Sequence, residues 1–229
     1  MASLTKYFKL IKEHPQLFVN PDEDGIIRII TDPETIKLLQ AEKKKEYKEV
    51  GKKPKWIDIG MLSEDPWFWV LRDLVEFPDG KIGGYIRFIN RKSQEGGFNV
   101  VLMCVQSDRV LMIKRFRHEE RNWSWEFPRG FGEQGLSAEE NAYKELEEEI
   151  GIKNARLIQL TNVSEGQGGT AVYLAEIPDQ KQIILELGEG ISDYRWVSLS
   201  EFELLVMQGQ LNDRFSLWAY ALAKIKKVI

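Results

Sequence analysis

GFGEQGLSAEENAYKELEEEIGI, residues 130–152, is the stretch on which the fold turns. Ser137 followed by Glu140 fits a capping box and Gly151 fits a left-handed stop, so a helix is expected from about Ser137 to Ile150. At 3.6 residues per turn, Glu145, Glu148 and Glu149 fall within an arc of about 100°. Ala142, Tyr143, Leu146 and Ile150 lie on a separate face suited to packing on a sheet, and Glu147 points to solvent. The cluster is a poor way to make a stable helix. Like charges at i,i+4 cost roughly 0.2–0.5 kcal/mol per pair, and exposed carboxylates in the last turn oppose the macrodipole by about 0.3–1 kcal/mol each. Three carboxylates on one face can instead hold a hard divalent cation, which prefers oxygen ligands. On this helix alone, a solvated glutamate run is the competing reading.

Composition narrows the chemistry around that helix. The chain has 229 residues, 43% of them apolar and 11% aromatic, with seven tryptophans, enough to bury a core. A formal charge of −4 gives no reason to expect nucleic acid or an anionic membrane as partner. One cysteine, Cys104, leaves no internal disulfide framework and no four-cysteine zinc site, and its setting in VVLMCV predicts a buried, inert thiol. With only His14 and His118, a histidine-based zinc site or catalytic triad is improbable, which leaves carboxylates to carry any chemistry. MASLTKYFKLIKEHPQ lacks the apolar stretch of a signal peptide, and no segment reaches membrane-spanning length; a soluble, cytoplasmic protein is expected.

Outward from the glutamates the patterning is mixed. Leu4, Tyr7, Phe8 and Ile11 recur at helical spacing, and a second helix is punctuated by Asp32, Pro33 and Gly51. Its lysine-rich later half reads as a solvated face interleaved with Glu42, Glu46 and Glu49. WFWVLRDLVEF and YIRFIN flank PDGKIGG as one hairpin, and FNVVLMCVQ and RVLMIKRFR flank Ser107-Asp108 as a second. NWSWEF alternates, with Pro128 closing it. Strands are expected at 155–162, 171–176 and 193–197, and helices near 200–208 and 213–227. The implied organisation is an N-terminal helical extension over 1–58 and a domain over 59–229 led by a hairpin at about 65–90. The fold class is an α/β-type sandwich around a mixed sheet.

Residues 130–152 closely resemble the Nudix box, G-x5-E-x7-R-E-U-x-E-E-x-G-U, with Gly130, Glu145, Leu146, Glu148, Glu149, Gly151 and Ile152 in register. Two positions depart: Leu136 stands for the first glutamate and Lys144 for the arginine that orients the metal-binding carboxylates. Glu133, Glu139 and Glu140 are nearby candidates to substitute for the lost acid. From about 60 to 225 the chain resembles the ADP-ribose pyrophosphatase branch, in RDLVEFPDGKIGGYIRF, KRFR, WSWEFPRG and GQLNDRFSLWAYALA.

That resemblance implies an α/β/α sandwich around a mixed sheet and hydrolysis of a nucleoside diphosphate linked to another group, ADP-ribose or an ADP-sugar favoured. It implies Mg²⁺, with Mn²⁺ as substitute, held by Glu145, Glu148, Glu149 and the Arg129 carbonyl. It also implies a homodimer formed through the leading hairpin. Arg117 matches an arginine that contacts the substrate diphosphate, and an exposed strand-end arginine is nearly as good a reading. Glu126 reads equally as a site-facing or a surface carboxylate. Trp123 and Trp125 fit base stacking, although a strand-spaced tryptophan stripe is more often core. The loop SEGQGGTA has Glu165 where the branch has proline and Thr170 near an expected acid, which makes Glu165 the candidate general base. An attenuated module that binds or senses a nucleotide is the alternative, as is an RNA- or protein-binding role for the lysine-rich extension.

Overall fold

The computed structural model describes residues 2–179 and 182–229. The chain forms two compact units, Met1–Arg91 and Lys92–Ile229. In the first, helix α1 (Leu4–Glu13) starts where the Ser3 hydroxyl accepts from the Lys6 N–H, and it buries Tyr7 and Leu10. Strand β1 (Arg28–Ile30) precedes helix α2 (Pro33–Glu49), whose N-cap Asp32 accepts from the Thr35 N–H at 2.8 Å. Gly51, at φ 71°, follows the end of this helix in the left-handed conformation that glycine adopts without steric cost.

Strands β2 (Gly60–Glu64), β3 (Phe68–Glu76) and β4 (Ile82–Asn90) complete an antiparallel sheet in which β3 pairs with all three others. The β3–β4 turn uses Gly80 at φ 79°. Tyr7, Phe18, Ile36, Ile57, Leu71 and Leu74 are among the buried residues of this unit. Strands β1 and β2 are not evident from the sequence: they are short, and pairing with β3 defines them more than their composition does.

A one-turn helix, α3 (Arg91–Gln94), leads into β5 (Phe98–Gln106) and β6 (Arg109–Arg117), joined at Ser107, which takes φ 56°. Then come β7 (Asn122–Glu126), the two-residue β8 (Arg129–Gly130) and helix α4 (Ala138–Ile150). Strands β9 (Arg156–Glu165), β10 (Gly168–Glu176) and β11 (Ile191–Ser198) follow, and helices α5 (Leu199–Met207) and α6 (Arg214–Ile225) close the chain. The sheet order is β11-β6-β5-β10-β9, with β7 on β6 and β8 on β5; β5 and β10 are parallel and the other pairs antiparallel.

Alternation along β5 divides the core. Val100, Leu102 and Cys104 pack with Ala142, Leu146 and Ile150 of α4, while Val101 and Met103 pack with Phe202, Ala219 and Ala223 of α5 and α6. A strand buried on both faces reads as the continuous apolar run VVLMCV. This is the α/β/α sandwich around a mixed sheet that the resemblance to the Nudix family implies. Burial raises the pKa of the Cys104 thiol well above its ordinary value, as befits an inert core group. Among the described residues no helix is long and apolar enough to cross a membrane.

Candidate active site

Helix α4 is fixed at both ends. The Ser137 side chain accepts from the Glu140 N–H at 3.2 Å, and the Glu140 carboxylate accepts from the Ser137 N–H at 2.8 Å. Gly151, at φ 71°, ends it. Its apolar face lies on the sheet, so Glu145 and Glu149 are carried inward beside that face while Glu147 and Glu148 stay exposed.

The carboxylates have different surroundings. Glu145 lies against Gly130, where any Cβ would overlap its carboxylate, so only glycine leaves room for it. Among the described residues Glu145 makes no ion pair. Burial, then the charge of Glu149, raises its pKa to about 8. Glu149 is fully buried. One of its oxygens accepts from Arg115 Nη2 and the other from the Arg129 N–H at 3.1 Å. Burial raises its pKa to about 7 against the opposing charge of Arg115. Glu148 Oε2 pairs with Lys144 Nζ at 2.7 Å, and the same ammonium reaches Glu133 Oε1 at 3.0 Å. Of the three acids that could replace the one missing at Leu136, Glu133 is the one on Lys144; Glu140 is engaged in the capping box.

Strand β6 supplies two cations, Arg115 and Arg117, two residues apart and therefore on one face of the sheet. Arg117 grips Glu126 through Nε (2.7 Å to Oε2) and Nη2. Glu126 is fully buried rather than on the surface, with Arg115 Nη1 at 3.9 Å and Arg129 Nη2 at 3.5 Å. Arg129 also pairs with Asp213 at 3.2 Å, the residue that caps α6. Arg115 donates through Nη2 to Glu189 at 3.0 Å and through Nη1 to the Arg129 carbonyl at 3.4 Å.

Glu189 lies on a 3-10 turn just before β11, and its charge acts on both Glu145 and Glu149. Sequence reasoning passed over Arg115, Glu189 and Asp213. The two-residue period of β6 was the available signal for Arg115. Glu165 stands at the β9–β10 turn with its side chain exposed, and its backbone carbonyl accepts from Gln94 Nε2 at 3.4 Å. Thr170 is buried at 8% exposure, with its hydroxyl 3.5 Å from Asn99 Nδ2. Trp125 packs at the margin of the core, whereas Trp123 is 45% exposed beside Lys114.

Against known proteins, the NUDIX domain model matches residues 95–219. The chain belongs to the NUDIX family. This NUDIX chain is 31% identical over 99 residues to the ADP-sugar pyrophosphatase of Mus musculus, covering 41% of this chain and 45% of that protein. It is 40% identical over 53 residues to the RNA pyrophosphohydrolase of Shewanella piezotolerans, covering 23% of this chain and 28% of that protein. The chain thus spans less than half the length of these curated relatives. A crystal structure described as an ADP compounds hydrolase superposes with a TM-score of 0.52 at 16% identity, over 73% of this chain and 90% of that one, a likeness of fold.

The donor set suits a divalent cation in its chemistry. It consists of oxygen ligands, and the Glu145 carboxylate is cradled where a Cβ is missing, near the like charges of Glu149, Glu148 and Glu189. The acids are not gathered in advance: among the described residues no three acidic, histidine or cysteine side chains form a metal-ligand group. Lys144 draws Glu148 outward and Arg115 holds Glu149.

Proposed function

We propose that this NUDIX protein is a metal-dependent hydrolase that cleaves the diphosphate of a nucleoside diphosphate linked to another group, ADP-ribose or an ADP-sugar favoured. The observation that carries the reading is the Glu145 carboxylate, buried on Gly130 beside Glu149 with no ion-pair partner among the described residues. A fold gains nothing from such a charge, and a bound cation would neutralise it. The longer match to an ADP-sugar pyrophosphatase favours that substrate class over the 5′ end of an RNA.

Glu145, Glu148, Glu149 and the Arg129 carbonyl would hold Mg²⁺, or Mn²⁺ in its place. A divalent cation bound there lowers the pKa of its water and neutralises charge on the phosphoryl oxygens. Glu126, itself buried, fixes the part-exposed Arg117 and Arg129, and among the described residues Arg117 keeps Nη1 to offer to a diphosphate oxygen. A carboxylate takes the proton of the attacking water: Glu165, from its exposed turn, or one of the box glutamates. The products are a nucleoside monophosphate and a phosphorylated remainder.

The same reading includes a cytoplasmic homodimer formed through the β3–β4 hairpin that leads the hydrolase domain. Phe68, Ile86 and Phe88 support it, since the register places them on one sheet face with 36%, 42% and 74% exposure.

The test is a panel of diphosphate-linked nucleosides, ADP-ribose and a 5′-triphosphate RNA included, assayed for monophosphate release with Mg²⁺ or EDTA. Release by the parent in Mg²⁺, lost in EDTA and in Glu148→Gln, is expected. No release by the parent, with nucleotide binding intact, would make the protein a binding module instead.

A further inference from the structure

Arg115 occupies a place that the preceding reading reserves for a metal ion. Its guanidinium lies on the Glu149 carboxylate, on the Arg129 carbonyl at 3.4 Å and on Glu189 at 3.0 Å, with Glu126 at 3.9 Å. The first two of these oxygens are ones that would bind a divalent cation. Arg115 is itself 6% exposed, and its Nε is buried without a partner among the described residues. An arginine placed only to stabilise the fold would have this donor satisfied. The side chain is held by its attraction to acids rather than by a complete set of hydrogen bonds.

We propose that Arg115 is the counter-cation of the metal-free site and sets its metal affinity by competing for Glu149 and the Arg129 carbonyl. The proposal rests on the reading that the α4 carboxylates hold a divalent cation. Glu149 is fully buried, and a carboxylate so placed must be paired for the chain to fold without metal. Arg115 supplies that pairing, and a cation entering the site must take the oxygens from it. Only molecules in which Arg115 has released Glu149 are competent to bind, so the apparent affinity falls by the fraction in which it has. Arg115 is thus a positioning residue whose removal strengthens metal binding, the opposite of what removing a supporting ligand does.

The experiment is a titration of the full chain with Mn²⁺, followed by the electron paramagnetic resonance of the free ion, in the parent, Arg115→Met and Arg115→Lys. Melting curves in EDTA and in Mn²⁺ accompany it. Arg115→Met is expected to bind Mn²⁺ at least about tenfold more tightly than the parent, to melt lower in EDTA and to gain more from the ion. Lysine keeps a point charge but not the planar fork, so Arg115→Lys falls between the two and carries the comparison if the methionine variant does not fold. Binding that is weaker or unchanged in the variants overturns the proposal and leaves the metal site standing. Binding by the variants alone means the arginine excludes the ion, which upholds it. No binding by any of the three overturns the metal site and this proposal together.

Discussion

Each unit of the protein sets arginine against a buried carboxylate, and the two arrangements are built to different ends. In the first, Asp73 is 1% exposed and receives the Tyr7 hydroxyl at 2.5 Å and two donors of Arg87. Arg87 turns its third nitrogen to the Leu17 carbonyl at 2.7 Å and lies over the Phe18 ring. One acid meets one cation, and each guanidinium nitrogen has a partner. In the second, Glu126, Glu149, Glu189 and Asp213 share Arg115, Arg117 and Arg129, with Glu145 beside them and unpaired among the described residues. Arg115 and Arg129 each keep a buried Nε without a partner among the described residues. A closed network stabilises a fold; one with surplus negative charge and spare donors is suited to a ligand.

Substitutions at the two acids should affect metal-free stability differently. Asp73→Ala leaves Arg87 and Tyr7 unpaired and should cost about 3 kcal/mol, the low end for a broken buried pair because the Arg87 side chain is 25% exposed. At pH 9, above the folded-state pKa of about 8, Glu145→Gln removes a surplus charge and should leave the metal-free protein as stable or more so. Urea denaturation in EDTA measures both, and a loss at Glu145 matching that at Asp73 would erase the contrast.

Gly130→Ala places a methyl where the Glu145 carboxylate lies. A stability loss of about 1–3 kcal/mol is expected, as for other overpacked sites, together with loss of any metal-linked stabilisation. Full retention of the metal response would show that Glu145 does not need its seat on the glycine.

Metal-free stability should also fall with rising pH. Glu145 and Glu149 have folded-state pKa values of about 8 and about 7, both above the ordinary 4.5. The folded chain therefore holds their protons more tightly than the unfolded one. Their contribution is complete below about 4.5 and is lost as pH rises through about 7 and then about 8. Melting curves in EDTA from pH 5 to 9 test this; a flat profile would mean the acids are better compensated than the geometry shows.

The smallest effect belongs to Lys144→Met. Its pairs with Glu133 and Glu148 are partly exposed, so the change in stability should stay within about 1 kcal/mol. A larger loss would make the bridge a structural element and not only a hold on Glu148.

Much of this architecture is legible in the residues. Helix α4 carries its own start, stop and face in Ser137, Glu140, Gly151 and the spacing of Ala142, Leu146 and Ile150. The hairpins declare themselves through Gly80 and Ser107. What stays hidden depends on distant partners. Strand β2 exists because β3 pairs with it, and β8 is two residues laid against β5. At the site, helical periodicity selects Glu145, Glu148 and Glu149, but it says nothing about residues on other elements. Arg115 reaches Glu149 across 34 residues and Glu189 across 74, through the pairing of β6 with β7 and β11. Glu126, which the sequence leaves open between site and surface, is settled as buried only by three arginines from two strands.

The most direct test of the unpaired acid is a pair of melting curves at pH 8, parent and Glu145→Gln, each with EDTA and with millimolar Mg²⁺. A cation held by the α4 carboxylates predicts that Mg²⁺ raises the parent's melting temperature by several degrees and leaves Glu145→Gln nearly unmoved. Equal responses in the two proteins, or none in the parent, would contradict a metal site at Glu145.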